Sequence, residues 1–252
     1  MTISTLPDTQ KSIALLAVSK SFAAQKVLEN ISLTIQRGEI VALLGASGGG
    51  KSTLLNIMSG LLPADSGEIL LQGVPSEKFQ HWQRVAYLFQ EDRLLPWRTV
   101  EQNVHFGLEN SGLDAKTRRQ RVAEALELVG LAEFIRHWPH QLSGGMRSRV
   151  ALARSLVVQP EILLMDEPFS RLDPQTRSAM HDELLRIQHL TGMTVVLVTH
   201  DVEEAVVLAD RVLILKPHPG RLHNETPLDL PRPRIATHPA VNEQIRLLRL
   251  EV

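Results

Sequence analysis

The sequence predicts an α/β fold. Two observations predict it: short, dense runs of Val, Ile and Leu, and segments with helical apolar spacing lying between them. The runs are Ile40–Leu44, 162–165, 194–198 and 212–215. Continuous short runs of this kind suit strands buried on both faces, as in a parallel sheet. Between them, Val122, Ala125, Leu126 and Val129 fall at i, i+3, i+4 and i+7, which places them on one face of a helix that Gly130 can end. Met180, Leu184 and Ile187 form a second stripe, opened by Asp173-Pro174 and closed by Gly192.

The segments fall in order along the chain. Residues 54–62 read as a helix after the first strand run. Residues 91–157 carry no strong strand run, and the first part of this stretch reads as a helical insertion into the α/β core. Residues 149–156 read as a helix. Beyond Lys216, six residues (Pro217, Pro219, Gly220, Pro227, Pro231 and Pro233) are expected to break regular structure. A last helix is expected from Pro239 onward, with Val241, Ile245 and Leu248 on its docking side.

Composition bounds the chemistry. With 252 residues, 43 % of them hydrophobic, the chain can bury a sizeable core. A net charge of −1 gives no overall electrostatic case for nucleic acid or anionic lipid as main partner. No cysteine is present, which excludes disulfides, thiolate catalysis and cysteine-bound zinc. The opening residues lack a basic stretch followed by an apolar one, and no apolar run approaches the roughly 18 residues of a membrane span. The chain is therefore expected in the cytosol, with any membrane role supplied by a partner.

GASGGGKST, residues 45–53, lies between the first strand run and a helix. Glycines let a backbone curl so that its N–H groups converge on phosphate oxygens, and the following helix N-terminus adds partial positive charge. In this pattern Lys51 reaches the β- and γ-phosphates and the Ser52 hydroxyl ligates Mg²⁺. A plain flexible turn fits two fixed glycines followed by Lys and Ser poorly. Asp166 and Glu167 end the run at 162–165, at the strand edge where open α/β sheets bind ligands. Asp166 suits support of Mg²⁺, and Glu167 suits activation of the attacking water. His200 follows TVVLVT, where Thr199 or Asp201 can also serve as a helix cap. LSGGM, residues 142–146, offers a Ser hydroxyl and Gly amides ahead of a helix, either a simple cap or a second anion site.

In this order, these motifs resemble the ATP-binding subunits of ABC transporters over residues 12–235. The resemblance implies a P-loop NTPase (RecA-like) core with a mostly parallel sheet, an N-terminal antiparallel β subdomain, a helical subdomain at about 91–157 and a C-terminal helical tail at 236–252. It implies ATP and Mg²⁺ as cofactors. Gly45, Ala46, Ser47, Gly48, Gly49, Gly50, Lys51, Ser52 and Thr53 match the loop around the phosphates. Phe22 matches the aromatic that stacks on adenine, and Gln90 the glutamine that senses Mg²⁺ and the γ-phosphate. Ser52, Gln90 and Asp166 form the metal set. Glu167 matches the general base, and His200 the residue on the γ-phosphate. Ser143, Gly144, Gly145 and Asp173 match groups that act on ATP held by the opposite subunit. The implied partners are a second copy of the chain, in an ATP sandwich dimer, and an integral membrane permease. A substrate-binding protein is an indirect partner, and the implied location is peripheral, at the cytoplasmic face of the inner membrane.

RLLPW (residues 93–97), HPGRL (218–222) and DLPRPR (229–234) resemble the nitrate, taurine and aliphatic-sulfonate importer group, and SGGGKST with FQEDRLLPW leans toward the sulfonate members. Import of aliphatic sulfonates is the expected task, with taurine, nitrate or a non-transport ABC ATPase as alternatives. Ser148, Arg171 and Arg147 depart from the family pattern near the signature and near Asp173. These changes bear on dimer closure and leave every phosphate and Mg²⁺ ligand in place.

Overall fold

The computed structural model describes residues 10–252. Residues 1–9, most of the stretch read above as lacking a targeting pattern, lie outside the described residues. The chain begins with β1 (Lys11–Phe22), β2 (Gln25–Gln36), β3 (Ile40–Leu44), α1 (Lys51–Met58), β4 (Ser66–Leu71) and β5 (Val74–Pro75). It continues with β6 (Val85–Leu88), α2 (Val100–His105), α3 (Ala115–Leu128), α4 (Gly144–Leu156), β7 (Ile162–Asp166) and α5 (Pro174–Thr191). It ends with β8 (Thr194–Thr199), α6 (Val202–Leu208), β9 (Arg211–Lys216), β10 (Arg221–Pro227) and α7 (Pro239–Arg249). Two compact units result: one takes the chain through Gln80 together with Gly192–Val252, the other is His81–Thr191.

The first unit holds an antiparallel sheet in the order β2-β1-β4-β5. It also holds β3 paired in parallel with β8 on one side and β9 on the other, with β10 antiparallel to β9. Every residue of β3 and β8 is buried, as the unbroken apolar runs require. The second unit holds β6 and β7, paired in parallel from Val85↔Ile162 to Leu88↔Met165. There α2, α3 and α4 pack on one another, and α4 also packs on β6 and α5. The α/β class, the mostly parallel strands, the antiparallel β portion and the helical stretch are all present. Among the described residues no helix is long and apolar enough to cross a membrane.

Three boundaries differ from the sequence reading. The helix expected at 54–62 is α1, Lys51–Met58, because Gly50 (φ 85) caps it directly from the glycine loop and Gly60 (φ 74) turns the chain out of it. The helix expected at 149–156 starts at Gly144, because the Ser143 hydroxyl accepts the Met146 N–H at 3.2 Å. Beyond Lys216 the chain does not stay irregular: β10 pairs with β9 from Arg221↔Lys216 to Pro227↔Arg211. Most β10 side chains are exposed, so this edge strand carries no apolar alternation, and its proline sits at the end where an edge tolerates it.

Two polar side chains pin segments that the sequence reading singled out. Buried Asn103 accepts the Leu95 N–H at 2.7 Å and donates to the carbonyls of Leu95, Arg98 and Thr99, clamping the loop that carries RLLPW. Arg234, the last residue of DLPRPR, is buried and donates to the carbonyls of Val206 (2.8 Å), Ala209, Leu228 (2.8 Å) and Leu230 (3.0 Å). One of these carbonyls, of Val206, lies in the last turn of α6 and another, of Ala209, at its C-cap, a position that a cation suits. Replacing Arg234 with Met strips that set of its donors. Arg234→Met is expected to cost about 2–3 kcal/mol in urea unfolding, with Arg234→Lys recovering only part because a point donor cannot span four carbonyls.

Candidate functional site

In the first unit, register builds the site. Leu44 of β3 lies opposite Thr199 of β8, so Gly45 and His200 leave adjacent parallel strands at the same carboxyl edge. Ligands bind at this edge in open α/β sheets. From Gly45 the chain curls through the glycine loop into α1. Gly48 and Gly50 take φ of 77 and 85, and the Gly49 N–H closes on the Ala46 carbonyl at 3.2 Å. A Cβ on Gly45 would lie 2.3 Å from the Leu215 carbonyl oxygen, and one on Gly50 would lie 2.6 Å from Leu28 Cδ2. The loop is therefore pressed against its own unit, and at these positions only glycine fits.

Lys51 is buried beneath this loop, and its Nζ donates to the carbonyls of Gly45 at 2.8 Å and Ala46 at 2.9 Å. An ammonium thus sits at the loop's throat, while Ala46, Ser47, Gly48 and Ser52 are exposed and Thr53 is half-buried. The first turn of α1 aims N–H groups and its dipole in the same direction. A curled backbone, a central cation and a helix N-terminus suit a chain of phosphates and the Mg²⁺ that accompanies it. Among the described residues no group of three or more His, Asp or Glu stands ready to hold a metal. Mg²⁺ needs none, because it keeps waters and phosphate oxygens and takes only one or two protein groups.

His200 is exposed, and capping of α6 falls to Asp201, whose carboxylate accepts the N–H groups of Glu203 (2.9 Å) and Glu204 (3.4 Å). The Thr199 hydroxyl in turn accepts the Asp201 N–H at 3.0 Å. The start of α6 therefore does not account for the His200 side chain. Phe22 ends β1 with 48 % of its surface exposed, and Lys20 Nζ lies 5.7 Å from its ring centre. It is not a core phenylalanine, and its ring is open to a planar ligand.

In the second unit, Leu88 pairs with Met165, which carries Gln90 and Glu167 past the ends of adjacent strands. Gln90 Nε2 lies 3.4 Å from Glu167 Oε2 and donates to Ser170 Oγ at 3.2 Å. Glu167 takes φ of 45, a left-handed conformation that costs an L-residue about 1–2 kcal/mol. The turn is held by Ser170, whose hydroxyl and N–H both donate to the Glu167 carbonyl, at 2.9 and 3.3 Å. Seven other described non-glycine residues also take a positive φ, and Glu167 is the one that directly follows a parallel strand. Asp166 accepts the Tyr87 hydroxyl at 3.3 Å. Burial first, and then the Asp166 charge, raise the Tyr87 pKa, so the phenol keeps its proton and acts as donor.

The signature residues and Asp173 begin neighbouring helices in this same unit. Ser143 caps α4, while Asp173 Oδ1 accepts the Thr176 N–H in the first turn of α5 at 3.0 Å. The Thr176 hydroxyl and then its N–H hold the Asp173 carboxyl below its usual range. A Cβ on Gly145 would lie 2.5 Å from Thr176 Cγ2, so the two first turns touch where that glycine sits. Ser143 and Gly144 are exposed. Arg147 fastens this loop from below: its Nε donates to Asp92 Oδ2 at 3.1 Å and its guanidinium to the Leu142 carbonyl at 2.9 Å. Ser148 turns back onto the Gly144 carbonyl at 3.2 Å, and Arg171 pairs with Glu91 at 3.1 Å on the surface. Gly45 and His200 thus leave neighbouring strand ends in the first unit, and Gln90 and Glu167 do so in the second, while Phe22 stands at the end of β1 and Ser143–Gly145 and Asp173 at two helix starts. The sequence reading missed Tyr87 and Ser170 and the Arg147–Asp92 tie. None of them left a signal in residue spacing: Phe89, two residues beyond Tyr87, already lies past the end of β6.

Residues 28–170 match the ABC transporter family model. The chain belongs to the ABC transporter family. It is similar to an aliphatic sulfonates import ATP-binding protein of Pseudomonas fluorescens, 46 % identical over 92 % of this chain and 84 % of the relative. It is also similar to a taurine import ATP-binding protein of Burkholderia pseudomallei, 47 % identical over 83 % of this chain and 80 % of that one. Among solved structures it resembles an ATP-binding cassette in a dimeric post-hydrolysis state bound to ADP and phosphate. That likeness has a TM-score of 0.74 at 31 % identity and covers 86 % of this chain and 99 % of the other. The chain is thus an ATP-hydrolysing ABC cassette.

The two kinds of glycine constraint in the loop separate experimentally. Gly45→Ala meets backbone, so it is expected to weaken binding of a fluorescent ATP analogue at least tenfold and to lower the melting temperature. Gly48→Ala meets nothing within 4 Å and carries only the strain of its positive φ, about 1 kcal/mol, so its binding loss is expected to be smaller.

Proposed function

We propose that this cassette drives uptake of a small anion, most readily aliphatic sulfonates, as the ATPase subunit of an ABC importer. The observation that carries the reading is the phosphate cradle of residues 45–53, with buried Lys51 bonded under it at 2.8 and 2.9 Å. The sulfonate assignment is supported by the names of relatives at 46–47 % identity, most of them sulfonate importers and one a taurine importer. In this reading residues 12–235 form one ATPase domain with a helical part at about 91–157, and residues 236–252 form a tail.

The roles follow the chemistry of each group. Phe22 stacks on adenine. Gly45, Ala46, Ser47, Gly48, Gly49, Gly50 and Thr53 wrap the phosphates, and Lys51 neutralises charge on the β- and γ-phosphates. Ser52, Gln90 and Asp166 hold Mg²⁺, which neutralises charge on the transferred phosphoryl group when bound. Glu167 takes a proton from the attacking water, and His200 donates to the γ-phosphate. Ser143, Gly144, Gly145 and Asp173 serve ATP on a second copy of the chain, in a head-to-tail sandwich. ATP closes the pair and hydrolysis reopens it, a two-state element biased by the γ-phosphate. The stroke passes to a membrane permease, for which exposed Trp97 on its Asn103-clamped loop is an apolar contact. A substrate-binding protein delivers the anion, and the cassette sits peripherally at the cytoplasmic face of the membrane.

Glu167→Gln is expected to retain ATP binding and to lower steady-state turnover by about 10²–10⁴-fold. A strain lacking the gene, grown on a short alkanesulfonate, taurine, nitrate or sulfate as sole source, tests the cargo. Loss of growth on the alkanesulfonate alone, restored by wild type and not by Glu167→Gln, supports the reading. Loss on taurine or nitrate instead moves the cargo within the group, and normal growth on every source sinks the sulfonate assignment.

A further inference from the structure

We propose that Tyr87 is a positioning residue for Asp166, fixing the carboxylate that supports Mg²⁺ through a hydrogen bond from its phenol. The inference rests on the Asp166 role assigned under Proposed function and adds a residue to it.

The placement follows from strand register. Tyr87 pairs with Leu164 across β6 and β7. Asp166 lies two residues beyond Leu164, and residues two apart on a strand share a face. The phenol therefore reaches diagonally along one face of the pair to Asp166 Oδ2, at 3.3 Å. The same face holds the phenol in place from behind. The Phe89 ring lies 4.3 Å from the Tyr87 ring, centre to centre, and the Arg93 guanidinium lies 3.8 Å from the Phe89 centre. Arg93 is itself fixed, since its carbonyl accepts from Arg154 at 2.8 Å. Arg93, Phe89 and Tyr87 form a continuous stack that ends on the Asp166 carboxylate, with Arg154 tying down the Arg93 backbone.

The chemistry suits positioning and nothing else. A tyrosine hydroxyl is a neutral hydrogen-bond donor and brings no ligand charge of its own. It can hold one carboxylate oxygen, so that the other is presented in a fixed direction. Partners of this kind typically change metal affinity 10–100-fold when removed. The 3.3 Å separation is long for O–H···O, which sets the expectation at the lower end of that range.

The test uses the full chain and Mn²⁺ as probe, titrated by electron paramagnetic resonance in the presence of a non-hydrolysable ATP analogue. Tyr87→Phe removes one oxygen and keeps the ring stack. It is expected to weaken Mn²⁺ binding about tenfold, while affinity for the analogue without metal and the melting temperature stay at wild-type values. Asp166→Asn is expected to weaken Mn²⁺ binding more, and the double variant Tyr87→Phe/Asp166→Asn no further than Asp166→Asn alone. If Asp166→Asn weakens the metal and Tyr87→Phe does not, the Tyr87 proposal is overturned and the Asp166 assignment stands. If Asp166→Asn leaves the metal unaffected, the Asp166 assignment fails and the proposal falls with it. If the two losses add, Tyr87 acts by another route and the proposal is again overturned. Should Tyr87→Phe lower the melting temperature, Tyr87→His, which retains a ring and an N–H donor, must restore Mn²⁺ affinity, and failure to do so overturns the proposal.

Discussion

Parallel pairing carried to the last residue of β3, β8 and β6 is the constraint on which both units depend. In a parallel pair every strand runs the same way, so all carboxyl ends reach one edge together. With Leu44 opposite Thr199, the chain has no choice but to release Gly45 and His200 side by side. With Leu88 opposite Met165, it releases Gln90 and Glu167 in the same fashion. The apolar runs that fix these registers are fully buried in β3 and β8, so a slip by one residue would turn buried side chains toward the opposite face. Placement of the polar groups is thus inherited from packing of apolar ones.

Backbone conformations that a free chain avoids follow from this edge. The glycine loop turns back so tightly that Gly45 abuts the carbonyl of Leu215 on β9, the strand on the other side of β3. Burying Lys51 under that loop brings a cation out of water, which is tolerable because two carbonyls receive it. Glu167 adopts a left-handed conformation without being glycine, braced by Ser170. In each case neighbouring structure overdetermines a strained element, as expected where a group must be held ready before substrate arrives.

Much of this was legible from residue order. Dense apolar runs are a strong signal because a strand buried on both faces can be little else, and the loop of residues 45–53 announces itself by glycine spacing. What escaped was structure decided by backbone pairing or by distant partners. β10 has exposed side chains and prolines nearby, yet pairs along β9 through hydrogen bonds that no side-chain pattern encodes. The Ser143 cap was one of two readings open for LSGGM, but the start of α4 was placed at 149 because Gly144 and Gly145 are weak helix formers that Ser143 nonetheless caps into the first turn. Tyr87 was invisible because its partner lies 79 residues away and only register brings the two together.

The departures from the family pattern gain a physical meaning in the same terms. Arg147 and Arg171 are not loose charges. Arg147 bonds Asp92 and the Leu142 carbonyl, joining the signature loop to a residue two beyond Gln90. Arg171 bonds Glu91, one beyond Gln90, from a position two before Asp173. The segment following Gln90 therefore meets both the loop of Ser143–Gly145 and the turn that leads to Asp173. The two ties are unequal. Both partners of the Arg171 pair are largely exposed, and pairs of that kind contribute about 0–1 kcal/mol. Arg147 and Asp92 are each roughly a third exposed, and the guanidinium spends a second donor on backbone, which fixes its direction as well as its charge. Of the two, Arg147 is therefore the firmer tie, holding the segment after Gln90 to the loop that ends at Ser143, while the Arg171 pair adds little to the turn before Asp173.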